Sequence, residues 1–258
     1  MKIFISRCSK VIILILMLFY CTDNVRSENG GLSEMQKKVI DEDKLNIKDG
    51  KSAIFYLSNK CNTNYNKPFY LESEGKLKYF DCSTNQLSDE DIKYLAFFPE
   101  ITGIHITGKQ ITDKGLEYFK NFKNLNGISF YDTSVRGNGL KYFKDSKKIT
   151  IIRFEGSPLT DEGCRYLSEI NFEKSFNEAD FSSTKITDEG LKYLSKLRFS
   201  GELRFKNTRI TDAGLKYLAN QTELSELYLN NTKVTKEGIK WLKNQLPNLD
   251  VYTKDKDI

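Results

Sequence analysis

One histidine, one tryptophan, three methionines and four prolines in 258 residues leave little of what most catalytic and metal chemistry uses. A lone imidazole, His105, supplies no nucleophile relay, and the chain has neither a C-x-x-C pair nor a Cys/His cluster, so structural zinc is excluded. No glycine-rich phosphate fingerprint occurs either, and no cofactor is expected. With 16 glycines and so few prolines the chain is neither collagen-like nor low-complexity. Only one long apolar run exists, Val11 to Tyr20, which excludes a polytopic membrane protein. An excess of one charge sign is also missing. The formal charge is +5, but Lys2, Arg7, Lys10 and Arg26 against Asp23 place +3 of it in the first 27 residues, leaving +2 for the rest. A nucleic-acid binder needs a clustered basic stripe, so no nucleic-acid partner is expected.

What is present begins with an export signal. Lys2, Arg7 and Lys10 precede the ten-residue apolar run, and a polar stretch from Thr22 to Gly31 follows at once. A membrane-spanning helix needs roughly 20 apolar residues, so this segment reads as a secretory signal. Its end has three readings. Val25-Arg26-Ser27 offers small residues for ordinary cleavage after Ser27, whereas Leu18-Phe19-Tyr20-Cys21 resembles a lipoprotein box in which Cys21 is acylated, with Tyr20 departing from the small residue that box carries. An uncleaved anchor is the third. All three place the bulk of the chain outside the cytosol, and any membrane attachment is through that N-terminus.

The remaining cysteines then face an oxidising compartment. Cys61 and Cys82 are candidates for one disulfide near the start of the folded part, with buried free thiols as the alternative. Cys164 falls inside the repeat described next.

One phrase occurs seven times. It starts at Leu87, Ile111, Val135, Leu159, Ile186, Ile210 and Val234, as in Ile210-Thr-Asp-Ala-Gly-Leu-Lys-Tyr-Leu218, and the starts are 24, 24, 24, 27, 24 and 24 residues apart. Between copies runs a second frame, clearest as Leu224-x-x-Leu227-x-Leu229-x-x-Thr232-x-Val234. Apolar residues that alternate predict a short half-buried strand. The Thr-Asp pair predicts a helix start, with Thr as N-cap and Asp favoured by the helix dipole in the first turn. Each unit is therefore one strand and one short helix.

These motifs, L-x-x-L-x-L-x-x-[T/N]-x-[I/L] followed by T-D-x-G-L, resemble leucine-rich repeat proteins. They are similar to the cysteine-containing subtype of F-box-associated receptors, and closer to exported bacterial proteins rich in T-D-x-G-L units. The resemblance covers Leu77 to Tyr252. It implies an α/β solenoid with a parallel sheet on the concave face, short helices on the convex face, and use as a binder of proteins.

The physics agrees, because a unit this small cannot bury its own apolar stripe and must share a core with its neighbours. The expected organisation is a signal at 1–27, an N-terminal linker and cap at 28–76, the repeats at 77–252 and a tail at 253–258. The cap would include a helix from Asp49 to Leu57 and a strand from Phe69 to Glu72; a last strand is expected within Leu246 to Tyr252.

Several columns have two readings. Cys164 takes a Leu/Ile position and reads as a core thiol rather than a nucleophile. The column Tyr94, Tyr118, Tyr142, Tyr166, Tyr193, Tyr217 and Trp241 reads as packing between units, the alternative being a ladder for a glycan. The glycine at 115, 139, 163, 190, 214 and 238 costs up to about 1 kcal/mol against alanine within a helix, which implies close approach of the neighbouring coil. Two irregularities stand out: Arg136-Gly137 replaces Thr-Asp in the third unit, and the fourth carries three extra residues within Ser168 to Ser175.

In the strands, the residues flanking the last leucine of the frame point onto the concave face. A mixed-charge patch of Arg153, Glu155, Asp180, Arg204 and Lys206 forms its centre, with Tyr131 and Tyr228 as candidate anchors. Arg153, Asp180 and Arg204 form either a structural ladder across strands or part of a recognition patch for a protein or peptide with acidic groups. The expected function is a non-enzymatic, monomeric interaction scaffold, exported to the envelope or outside. A structural or adhesive envelope lipoprotein is the alternative. A ubiquitin-ligase substrate receptor of the F-box type comes third, since it would need an F-box segment and a cytosolic address.

Overall fold

The computed structural model describes residues 47, 49–61, 69–71 and 77–253, all within one compact unit, Asn46–Ile258. The signal segment with Cys21, most of the linker and the Lys254–Ile258 tail lie outside the described residues.

Among the described residues nine strands form one sheet in chain order: β1 Phe69–Leu71, β2 Leu77–Cys82, β3 Gly103–Thr107, β4 Gly127–Tyr131, β5 Ile151–Arg153, β6 Phe176–Asp180, β7 Phe199–Arg204, β8 Glu226–Tyr228 and β9 Asp250–Tyr252. β1 pairs antiparallel with β2, and all later neighbours are parallel. The register places Phe80, Ile104, Ile128, Ile152, Ala179, Leu203 and Leu227 in one line, and every one of them is buried. One strand per unit, always the same face inward, is what an alternating frame at constant period must give.

The return segments differ from one short helix per unit. α1, Gly50–Lys60, precedes the repeats. In the first unit α2, Asp89–Ile92, runs into a 3-10 turn, Lys93–Phe97. The second and third units carry 3-10 helices alone, Gly115–Phe119 and Asn138–Phe143. Then come α3 Asp161–Ser168, α4 Asp188–Leu194, α5 Asp212–Leu215 with a 3-10 turn Lys216–Leu218, and α6 Lys236–Gln245. A 3-10 helix rises about 2.0 Å per residue against 1.5 Å for an α-helix, so a short coil can cover its height with few residues.

The core holds a phenylalanine spine. Phe130, Phe154, Phe181 and Phe205, the third apolar position of four successive units, are fully buried and stack at 5.7, 6.5 and 5.6 Å between centroids. Such pairs contribute about 0.5–1.5 kcal/mol each beyond their burial. Cys164 is buried, and burial pushes its thiol well up, as suits a core position.

The Thr-Asp-x-Gly phrase is a clasp between units. Threonine caps its own helix, as Thr211 Oγ1 accepts from Ala213 N at 3.2 Å. The aspartate acts differently from its expected role in its own first turn. Asp188 accepts from Thr211 N at 2.8 Å and Thr211 Oγ1 at 2.7 Å in the following unit. Asp89 does the same for Thr112, Asp161 for Thr187 and Asp212 for Thr235. The glycine makes room for this carboxylate: a Cβ on Gly115, Gly190, Gly214 or Gly238 would overlap the aspartate of the preceding unit.

The clasp is missing once. Gly137 stands where the aspartate should be, with φ at 111°, so Thr160 N and Oγ1 turn to the Arg136 carbonyl at 3.1 Å. There glycine meets glycine, since a Cβ on Gly163 would lie 2.9 Å from Gly137 Cα.

At the N-terminal end, Cys61 after α1 and Cys82 on β2 form a disulfide. In the first unit Asp91 takes the place of the recurring glycine. It is fully buried and accepts from Tyr56 Oη at 2.5 Å and Ser88 N at 2.8 Å, with Lys60 Nζ at 3.5 Å. Burial works to raise its carboxyl, but the bonds from Tyr56 and Ser88, with Lys60, outweigh it and hold the group below the ordinary carboxylate range.

Candidate functional site: the concave sheet face

Two rows of side chains leave the strands on the side away from the buried line, and the other expected column, Ser83, Thr107, Tyr131, Glu155, Ser182, Lys206 and Asn230, continues at or just past the strand ends. One follows the frame as expected: Asp81, His105, Ser129, Arg153, Asp180, Arg204, Tyr228 and Tyr252. The other lies two residues earlier in each strand: Tyr79, Gly103, Gly127, Ile151, Glu178, Glu202, Glu226 and Asp250. Sequence reasoning passed over this second row, although the same period-two rule contains it.

The second row corrects the expected ladder. Arg153 and Arg204 flank Asp180 in register but do not pair with it. Arg153 Nε donates to Glu178 Oε1 at 2.6 Å, Arg204 Nη1 reaches the same oxygen at 2.9 Å, and Arg204 also pairs with Glu202. Hydrogen bonds from Arg153 first, then both guanidinium charges, hold the Glu178 carboxyl below its usual range. Asp180 is only 6% exposed and accepts from Ser182 N at 2.8 Å, so it buttresses the strand end instead of meeting solvent. A carboxylate on the short Asp side chain folds back onto the backbone, whereas Glu178 has the length to lie between two arginines.

The two ends of the face differ. Toward the N-terminus the ring of Tyr79 covers Gly103, where a Cβ would overlap it, and His105 stacks on Tyr131 at 5.0 Å. Burial holds His105 below its ordinary range, against the pull of Asp81. Toward the C-terminus Tyr228 stacks on Tyr252 at 4.5 Å, with the Arg204 guanidinium 5.0 Å and the Lys206 ammonium 4.8 Å from its ring centre. Tyr228 Oη donates to Glu226 at 2.5 Å, and that bond first, then burial, pushes the phenol up to about 12. The Glu155 carboxyl, partly shielded from water although much of the residue is exposed, is raised by that desolvation first and then by Asp180.

Other features lie off this face. The tyrosine column does not form a stacked ladder: Tyr94 meets Tyr56 edge-on at 5.3 Å, and cations sit over Tyr94, Tyr142, Tyr166 and Tyr193. The insertion of the fourth unit borders a pocket of about 400 Å³, lined by Ile170, Phe172, Lys174, Lys196 and Arg198 among others. Among the described residues no group of three or more His, Cys, Asp or Glu could hold a metal, and no helix is long and apolar enough to cross a membrane.

A leucine-rich repeat family profile matches residues 180–195, from the last residue of β6 through the whole of α4. Among solved structures the chain is similar to internalin C2 from Listeria monocytogenes, at 17% identity and a TM-score of 0.53 over 69% of this chain and 71% of that one. Internalin F from the same organism aligns at 12% identity and a TM-score of 0.45, over 70% of this chain and 62% of the other. No protein of curated function matches the sequence.

Proposed function

We propose that this leucine-rich repeat protein is an exported, non-enzymatic scaffold that holds a protein or peptide partner on its concave sheet. One observation carries the reading: a parallel register, shifted only between Phe176 and Glu178, aligns the side chains of seven units in rows on one surface. Tyr131 and Tyr228 anchor the contact, because an aromatic ring offers much apolar area at small entropy cost, and Arg153, Glu155, Arg204 and Lys206 orient it, with Asp180 supporting them from beneath. Residues 1–27 act as the signal, 28–76 as the cap and 77–252 as the working array. Cleavage after Ser27 is the favoured end of that signal, with a lipid tether at Cys21 as the alternative, and mass spectrometry of the mature N-terminus distinguishes a start at Glu28 from acylated Cys21.

The test replaces Tyr131 and Tyr228 together by alanine and measures partner retention on the immobilised mature chain. Retention should fall at least tenfold while the circular dichroism spectrum is kept. Lys192→Glu with Lys216→Glu on the helices should leave retention unchanged. The opposite pattern would move the functional surface to the convex side.

A further inference from the structure

We infer that a second surface of this chain, the edge where the returning segments of the second to fifth units enter the following strands, docks an acidic helical segment of a partner protein. This goes beyond the concave-face reading and does not rest on it. Two features meet there: a column of four cations without counter-charges, and a cavity beside it at the insertion of the fourth unit.

The column precedes the buried line of the strands by a constant offset. Lys123, Lys147, Lys174 and Arg198 stand at the same distance in sequence before Ile128, Ile152, Ala179 and Leu203, and all four are exposed. Backbone bonds hold these coils side by side: Thr150 N to Asn126 O at 2.9 Å, Glu173 N to Lys147 O at 2.9 Å and Phe176 N to Arg198 O at 2.7 Å. Among the described residues no carboxylate lies within ion-pair reach of the four, and Arg198 donates to the Glu173 carbonyl at 3.2 Å. Cations of the returning segments behave differently, since Lys93, Lys120, Arg165 and Lys192 each pair with the glutamate three residues earlier. The fold does not ask for charge at the column, because Pro99, Thr222 and Leu246 occupy it in the first, sixth and seventh units. Helix dipoles do not account for it either: their effect ends within the last turn, whereas Lys174 lies well past Ser168, and Lys123 and Lys147 follow short 3-10 returns. Four like charges on coils roughly 4.8 Å apart repel one another, and an anionic partner removes that repulsion.

The cavity is an independent sign of a ligand. Its volume of about 400 Å³ lies in the range of binding clefts, and it sits between the coils of Lys174 and Arg198. Buried Ile170 and Leu197 and half-buried Phe172 line it, the last edge-on to Phe176 at 4.9 Å, while exposed Lys174, Lys196 and Arg198 form its rim. Glu169 also borders it but is engaged by Arg165. An apolar lining inside a cationic rim suits an apolar side chain flanked by acids. Spacing then selects a helix. Acids at i, i+3, i+7 and i+10 share one helix face and span roughly 15 Å, and the three steps between the four coils, about 4.8 Å each, span roughly 14 Å. Alternate side chains of an extended chain, roughly 7 Å apart, fall out of step with the column.

The experiment uses the mature chain and a labelled, alanine-based helical peptide of about 18 residues, with Glu at i, i+3, i+7 and i+10 and one leucine on the same face, read by fluorescence anisotropy at low salt. The peptide should bind. Lys123→Gln, Lys147→Gln, Lys174→Gln and Arg198→Gln combined should weaken it by about tenfold or more with the melting temperature unchanged, because these side chains are exposed and unpaired. Replacing the peptide's leucine by alanine should weaken it about threefold and leaves the fold of the chain untouched. Tyr131→Ala with Tyr228→Ala on the concave face, and Lys192→Gln with Lys216→Gln on the helices, should change nothing. Equal binding of a peptide with its four glutamates grouped at one end would overturn the helical match and the proposal with it. Binding lost with the concave variant and kept with the column variant would overturn the proposal and support the concave-face reading; binding lost with the helix variant alone would overturn both. A DNA strand or a sulfated polysaccharide that bound the column while the peptide did not would overturn the class of partner. No binding at about 1 mM peptide would overturn the proposal and leave the concave-face reading standing.

Discussion

The N-terminal and C-terminal halves of the array solve the same stacking problem with partly different means. Up to the third unit the coils return mainly by 3-10 turns, Asp89 and Asp113 each hold the following coil, and the start is further cross-linked by the Cys61–Cys82 disulfide and the buried Asp91 with Tyr56, Ser88 and Lys60. From the fourth unit on, α3 to α6 follow one another, and Asp161, Asp188 and Asp212 clasp each unit to the next. The boundary is the one joint without an aspartate, Gly137 against Gly163. Concave surfaces divide at nearly the same place, with Gly103, Gly127 and Ile151 in the second row before it and Glu178, Glu202, Glu226 and Asp250 after it. The lesson is that a repeat array is only as uniform as its joints. An end that lacks a neighbour needs cross-links, whereas an interior unit can rely on the next one.

The sharpest way to break the comparison is to remove the disulfide. Cys61→Ser with Cys82→Ser reopens a loop of sequence separation 21 and should cost on the order of 3 kcal/mol. Amide hydrogen exchange should show the loss at β2 and β3 with β7 and β8 still protected. Uniform loss along the array would mean that the halves are not energetically separate.

A smaller effect is expected at the joints. Asp188→Ala leaves Thr211 N and Oγ1 without their acceptor and should cost about 1–3 kcal/mol in urea unfolding. Writing the missing aspartate back at the boundary should not help. Gly137→Asp restores the motif, yet its Cβ would overlap Gly163 Cα and φ is positive, so the variant should be destabilised by a similar amount. A stabilised Gly137→Asp would show that the boundary is merely a lost clasp.

Acid should separate the halves by the smallest margin. Asp91 has a folded-state value lowered from 3.8, so its ionised form contributes stability that is complete above that value and is lost as pH falls through the lower folded one. Asp91→Asn should therefore flatten the stability slope between about pH 5 and pH 3 in probes of α1 and β2. Glu178→Gln should do so only around β5 to β7, because its depression comes from Arg153 and Arg204. If either variant flattened both regions equally, the two carboxylates would be reporting one global transition.

Much of this was legible in one dimension. A 24-residue period with alternating apolar residues admits a single way to bury every stripe, which is stacking in register, so the strand of each unit, its inward line and the core position of Cys164 follow from spacing alone. The leucine-rich repeat resemblance held for the same reason, and even the glycine column announced that something comes close. What spacing could not say is what comes close. The aspartate that fills the space above Gly214 is Asp188, 26 residues earlier, and the carboxylate between Arg153 and Arg204 is Glu178 in place of Asp180. Both facts depend on side-chain length measured across neighbouring strands and coils, where two residues of equal charge in the same strand differ in what they can reach. Sequence by itself determined the period, the inward face and the family of architecture, because these repeat. Tertiary structure decided the partners, the charge of the concave face and the weak joint, because each depends on how one coil sits against the next.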